Sequence, residues 1–259
     1  MHGSLLLFAL LLQHLAAQPI APLKTAAPDS RCYEIRTYTA APGKLEELLA
    51  RFRNHTVKLF EKHGITNIGY WVPQDNKENK LIYMIAFLNR DDRDKRFGEF
   101  GADPEWQRVY KESEANGKLV EKVESLMLKA TDYTPEIKPV KDKTSAEPRS
   151  FELRIYKAAP DKLGDLNARF RDHTVALFKK HGMVNFGYWT PLEKSAGADD
   201  TLVYLIVHKS RPAAAESWRA FASDPEWAAA RDASEKNGKL LDKPPASIYL
   251  VPTDFSPTS

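Results

Sequence analysis

The sequence predicts an α+β protein: two tandem βαββαβ units packed sheet to sheet, so that one chain makes a pseudo-dimer. Three observations carry this reading. Segments recur at a nearly fixed offset, both copies alternate strand and helix patterns in the same order, and one strand face is too polar and aromatic to be left against water.

The duplication comes first. Arg51-Phe52-Arg53-Asn54-His55-Thr56 recurs as Arg169-Phe170-Arg171-Asp172-His173-Thr174, and Gly69-Tyr70-Trp71 as Gly187-Tyr188-Trp189, both at an offset of 118 residues. Asp103-Pro104-Glu105-Trp106 recurs as Asp224-Pro225-Glu226-Trp227, and Asn116-Gly117-Lys118-Leu119 as Asn237-Gly238-Lys239-Leu240, at an offset of 121. The added residues fall in Glu193 to Asp200, a stretch rich in Gly, Ala and Asp that reads as a longer hairpin loop. The copies run over 33–133 and 151–255. Residues 134–150, rich in Pro, Lys and Glu, read as a linker.

Within a copy, Tyr33 to Thr39 alternates as a strand does, and Pro42-Gly43 punctuates it. Leu45, Leu48, Leu49, Phe52, Leu59 and Phe60 have helical spacing, closed by Gly64. Strands follow over 65–72 and 81–87, the latter rich in β-branched and aromatic residues. Asp103 predicts an N-cap, with Pro104 in the first helical position, Glu105 in the first turn and Gly117 at the end. A last strand is expected over 125–131. The order β-α-β-β-α-β is that of the ferredoxin-like unit.

Strand alternation sorts the faces. Tyr33, Ile35 and Thr37 share one side of the first strand; Glu34, Arg36 and Tyr38 share the other. The second copy repeats this with Phe151, Leu153 and Ile155 against Glu152, Arg154 and Tyr156. The apolar sets are expected beneath the helices. The polar sets are expected on the open faces, with Trp71, Tyr83, Trp189 and Tyr204 nearby, where the two sheets meet around a partly polar interior. Glu34, Arg36, Tyr38, Trp71 and Tyr83, with Glu152, Arg154, Tyr156, Trp189 and Tyr204, are therefore the candidate ligand-binding residues. The Glu–Arg pairs have a structural alternative as interface salt bridges, and the aromatic side chains as plain core. Trp106 and Trp227 read as core anchors. His55 and His173 read either as helix packing or as a base or ligand group. His63 and His181, in last helical turns, read as partners of the helix dipole.

The totals exclude much. With 259 residues, 42% hydrophobic and 28% charged, the chain has the composition of an ordinary globular protein with room for about two domains. The net charge of +3 comes without any long basic run, so no nucleic-acid partner is expected. Cys32 is the only cysteine, which excludes an intrachain disulfide and a cysteine cage. No metal-ligand spacing, phosphate loop, nucleophile elbow or dinucleotide fingerprint is present, and neither a catalytic set nor a cofactor is identified. Leu5 to Leu12 is apolar and followed by His14-Leu15-Ala16-Ala17-Gln18; it is too short to span a bilayer. Residues 1–18 read as a signal peptide, although Met1 to Ser4 lack the Lys or Arg expected there, and 19–32 as an N-terminal tail. The expected location is secreted or periplasmic, with no integral membrane segment after cleavage.

Tyr33-Glu34-Ile35-Arg36-Thr37-Tyr38, Pro42-Gly43-Lys44-Leu45, Gly69-Tyr70-Trp71 and Asp103-Pro104-Glu105-Trp106 together resemble the NIPSNAP domain. The second copy carries the same motifs, with Asp161 in place of the turn glycine. The resemblance implies the dimeric α/β-barrel superfamily, which includes small monooxygenases and haem-handling enzymes, but it supplies no catalytic residue set. Two functions stay open: a binding or scaffold protein holding a small amphipathic ligand, and an oxygenase or haem-handling enzyme. Beyond a small-molecule ligand, a homo-oligomer of pseudo-dimers is the partner considered.

Overall fold

A computed structural model describes residues 29–137 and 149–259. Residues 1–18, read as a signal peptide, most of the tail and residues 138–148 of the linker lie outside the described residues. The first repeat runs β1 (Cys32–Ala40), α1 (Leu45–Arg51), a π-helical segment (Phe52–Thr56), α2 (Val57–Lys62), β2 (Thr66–Pro73), β3 (Lys80–Phe87), α3 (Arg90–Ala102), α4 (Pro104–Ser113) and β4 (Val120–Ala130). The second runs β5 (Ser150–Lys157), α5 (Leu163–Arg169), a second π-helical segment (Phe170–Thr174), α6 (Val175–Lys180), β6 (Val184–Pro191), β7 (Thr201–His208), α7 (Arg211–Ala222), α8 (Pro225–Ser234) and β8 (Ala246–Pro252).

Local chemistry sets the element ends. The side chains of Asp103 and Asp224 accept from the backbone N–H groups of Glu105 and Glu226, capping α4 and α8. The same carboxylates accept from His63 Nε2 at 2.7 Å and His181 Nε2 at 2.6 Å. Each histidine thus ties the end of one helix to the start of another. The turns before α1 and α5 each need a left-handed residue: Gly43 supplies it in the first repeat at φ 75°, and Asp161 in the second at φ 61°. β4 starts at Val120, earlier than the pattern suggested, because Glu121 to Ser125 are exposed and show no buried alternation.

The eight strands close into a barrel in the order β1-β3-β2-β8-β5-β7-β6-β4, with antiparallel neighbours throughout. Two short ladders join the repeats: Trp71 to Pro73 of β2 against Leu250 to Pro252 of β8, and Leu128 to Ala130 of β4 against Trp189 to Pro191 of β6. Each repeat then sends a strap across to the other. Thr131 N–H donates to the Tyr188 carbonyl at 2.9 Å, and the strap is anchored by a two-pronged pair of Arg171 with Asp132 at 2.7 and 2.8 Å. Thr253 N–H donates to the Tyr70 carbonyl at 2.9 Å, Tyr70 N–H donates to Ser256 Oγ at 3.0 Å, and Arg53 holds Asp254 at 2.6 and 2.8 Å.

Trp71 and Trp189 apart, the faces are the reverse of the sequence-based expectation. Tyr33, Ile35, Phe151, Leu153 and Ile155 point into the barrel bore, with Trp71 and Trp189. Glu34, Arg36, Tyr38 and Tyr83, and their counterparts Glu152, Arg154, Tyr156 and Tyr204, lie on the helix side. Alternation tells which residues share a face, not which face is inside. In this closed barrel β1 and β5 are covered on both faces, and the bore takes the more apolar set. The acid and guanidinium groups go where helices can bring partners to them.

Candidate functional site

Beneath the helices of each repeat lies a buried polar ladder rooted on the first strand. Glu34, fully buried, accepts from Arg93 Nε at 2.8 Å and Nη2 at 2.9 Å, from Ser125 Oγ at 2.6 Å and from Arg36. Burial would push its carboxyl pKa up; hydrogen bonds from Arg93, the Arg36 charge and Ser125 reverse this and hold it below the usual carboxylate range. Arg36 next reaches Tyr38, whose ring meets that of Tyr83 at 5.3 Å; Tyr83 stacks on Tyr70 at 5.4 Å. Burial drives the Tyr70 and Tyr83 phenols well above their ordinary pKa, so both stay protonated, and Tyr70 donates to Asn67.

The second repeat keeps the ladder but changes the clasp. Glu152 is held by Arg154 at 2.6 Å and Ser247 at 2.6 Å, as Glu34 is by Arg36 and Ser125. Ala214 takes the place of Arg93 in the repeat alignment. The missing donors come from His208 Nε2 at 2.9 Å and Trp218 Nε1 at 2.7 Å, which replace Phe87 and Phe97. Burial raises the Glu152 pKa, but hydrogen bonds from His208, Ser247 and Trp218 and the Arg154 charge outweigh it, leaving a value of about 2.

The first repeat also has space beside its ladder. A pocket of about 250 Å³ opens between the helices and the sheet, walled by Tyr38, Phe52, Phe60, Phe97, Trp106 and Tyr110, with Lys118 and Glu121 at its edge. Arg51 forms part of the wall. Its guanidinium lies over the rings of Trp106 at 5.5 Å and Tyr110 at 5.4 Å, and Nη1 donates to Glu114 at 3.3 Å. In the second repeat the larger Trp218 stands where Phe97 borders this pocket.

The structure gathers Glu34, Arg36, Tyr38 and Tyr83 in one cluster and Glu152, Arg154, Tyr156 and Tyr204 in another; Trp71 and Trp189 are in neither, because they enter the bore. The Glu–Arg pairs do not bridge the two sheets, since each pair is made within one strand. His55 and His173 line outer grooves between the first and last helices of their repeats, away from both the ladders and the bore. Trp106 and Trp227 pack on Phe100 and Phe221 with ring centroids 4.5 and 4.6 Å apart, as anchors do. Arg93, His208, Trp218 and Arg51 were not singled out by pattern. Arg51 lies inside the duplicated Arg-Phe-Arg motif, which was a usable signal; Arg93 lies in a mixed charge run that looks solvated. No cluster of ligand-type side chains that would hold a metal is present among the described residues, and no described helix is long and apolar enough to cross a membrane.

Comparison with known proteins agrees with the duplication. A model of the NIPSNAP family matches residues 33–135 and again residues 151–257. A Dictyostelium discoideum protein described as "Protein NipSnap homolog" is 28% identical over 184 residues, covering 71% of this chain and 72% of that one. Among solved structures, a putative monooxygenase from Lactobacillus acidophilus superposes with a TM-score of 0.55 at 13% identity, covering 86% of this chain and 94% of its own. Another, from Fusobacterium nucleatum, gives 0.58 at 9% identity, covering 86% and 92%. At these identities the two structures speak to the shared barrel fold alone.

Proposed function

The chain belongs to the NIPSNAP family through both of its repeats, and from that premise we propose that it binds a small amphipathic ligand in the helix-side pocket of the first repeat. The reading treats each repeat as a ferredoxin-like unit whose pocket lies between its sheet and its helices. One observation carries it: an aromatic pocket of about 250 Å³ with a buried guanidinium, that of Arg51, in its wall. Rings and an immobilised cation suit a flat apolar body with one polar or anionic substituent. Native mass spectrometry of the purified protein tests this. A bound small molecule is expected in the parent and absent from Phe97→Trp, which introduces the residue of the second repeat. The same bound mass in both proteins would overturn the reading.

A second reading is oxidation of such a ligand by dioxygen, favoured by the fold shared with proteins described as putative monooxygenases. Of the pocket side chains, the phenols of Tyr38 and Tyr110 are of a kind that ligates haem iron, but about 250 Å³ holds roughly eight non-hydrogen atoms, far too few for a haem, so this version runs without one. Oxygen uptake with the isolated ligand tests it, and no uptake would end it. Export belongs to the same proposal and rests on residues 1–18. It predicts a mature protein that begins beyond Ala17 and is recovered outside the cytoplasm.

A further inference from the structure

The bore of the barrel is filled along only part of its length. Around the start of β1 and β5 it is packed with rings: Trp71 lies 5.5 Å from Phe151, and Tyr33 lies 5.7 Å from Trp189. Toward Thr37 and Ile155, further along the same strands, the walls turn aliphatic and leave an opening of about 310 Å³. Ile35 faces Leu153 across the duplication, Ile82 faces Val203, and Leu126 faces Ile248. Ile248 keeps 37% of its surface exposed at this mouth, an unusual exposure for a large aliphatic side chain that has a bore to enter.

The two halves match in shape but not in polarity. Where the first repeat places Thr37, Lys80 and Glu124 at the mouth, the second places Ile155, Thr201 and Ala246 at the corresponding register positions. The wall of the first repeat is therefore the polar one: at these positions it holds two charged side chains and the opposite wall none. The two charges on the polar wall differ in how they are held. Glu124 is turned to Lys122 at 2.8 Å, while Lys80, its side chain 24% exposed, pairs through its ammonium at 2.7 Å with Glu78, whose own side chain is 72% exposed. A ligand anion can replace that exposed carboxylate with little loss, because an exposed pair contributes little.

We propose that this half of the bore is a second ligand site, separate from the helix-side pocket, for a medium-chain aliphatic carboxylate. Its chain lies between Leu153, Ile155, Val203 and Ile248, and its carboxylate takes the place of Glu78 on Lys80. At roughly 30 Å³ per water-sized group the opening holds about ten non-hydrogen atoms, the size of octanoate. The site is shared by both repeats, so it exists only when the barrel is closed.

Titration calorimetry of the full chain with octanoate tests this, with octanol as the neutral probe. One octanoate is expected to bind per chain, octanol at least about tenfold more weakly, and Lys80→Met is expected to remove that difference. Ile248→Trp, at the exposed mouth, is expected to abolish binding with the melting temperature retained; Ile155→Phe serves if that variant is unstable. Phe97→Trp is expected to leave octanoate affinity unchanged, so failure of the helix-side pocket and failure of this site are told apart. No octanoate binding, equal binding of octanol, or binding indifferent to both mouth substitutions would overturn the proposal.

Discussion

Arg93→Met tests the buried clasp of the first repeat. The substitution keeps an unbranched apolar stem and removes the charge. Glu34 has no exposed side-chain surface, and two of its hydrogen bonds, at 2.8 and 2.9 Å, come from this guanidinium. Removing one partner of a buried ion pair typically costs about 3–5 kcal/mol, because the remaining charge is stranded in a medium that solvates it poorly. Arg36 and Ser125 still hold Glu34, so the low end applies, about 3 kcal/mol, or roughly a hundredfold in the folding equilibrium at about 1.4 kcal/mol per tenfold. Urea melts of the parent and the variant at neutral pH give the loss directly. Glu34→Gln in the Arg93→Met background should cost less than the two single changes added together, by about 1–3 kcal/mol. A loss below about 1 kcal/mol, the range of an exposed pair, would refute the view that Arg93 is the principal counter-charge.

Acid stability should report the second clasp. Glu152 has a folded pKa of about 2, below the ordinary 4.5, so its stabilisation is complete above about pH 4.5 and is lost as the pH falls toward 2. That interval is worth roughly 3 kcal/mol, and Glu152→Gln should flatten the acid limb of a plot of melting temperature against pH. Gly69→Ala should be costly, because an added Cβ would lie 2.2 Å from the Trp71 ring. Its expected cost is at least about 1–3 kcal/mol, with altered tryptophan fluorescence. A chain ending at Pro252 loses the strap over β2 and should melt well below the parent, whereas Asp254→Ala alone, at an exposed pair, should change stability by no more than about 1 kcal/mol. A similar melt for the truncated chain and the parent would show that the strap is ornamental.

Much of the architecture was legible because it was written twice. Repeated motifs located the two units, and local signals such as the Asp103 cap were read from a few adjacent residues. The orientation of the sheets was not legible. Glu34, Arg36 and Tyr38 form a polar strand edge whether they face a helix layer or another sheet, and the deciding partners, Arg93 and Ser125, are 59 and 91 residues away in sequence. The same holds for Glu152, whose donors His208 and Trp218 are neither charged in a run nor periodic. Trp71 and Trp189 were expected between the sheets and are found there, since their position depends on parity and bulk rather than on a distant counter-charge. The helix-side pocket leaves no signature in the sequence, because its wall combines residues of all four helices and the π-helical segment, a conjunction that only tertiary packing makes.

The straps bear on how the chain is made. β2 belongs to the first repeat, yet the carbonyl and N–H of Tyr70 are satisfied by Thr253 and Ser256, 183 and 186 residues downstream. A domain that folds as it leaves the ribosome normally closes its own hydrogen bonds before the next domain is synthesised. Here the first half emerges with the edge of β2 open and cannot complete itself until β8 and the strap that follows it have been synthesised. During that interval its exposed strand is a template for wrong pairing with a second nascent chain. The duplicated barrel therefore places its greatest exposure to misassembly in synthesis, at a stage the finished molecule no longer displays.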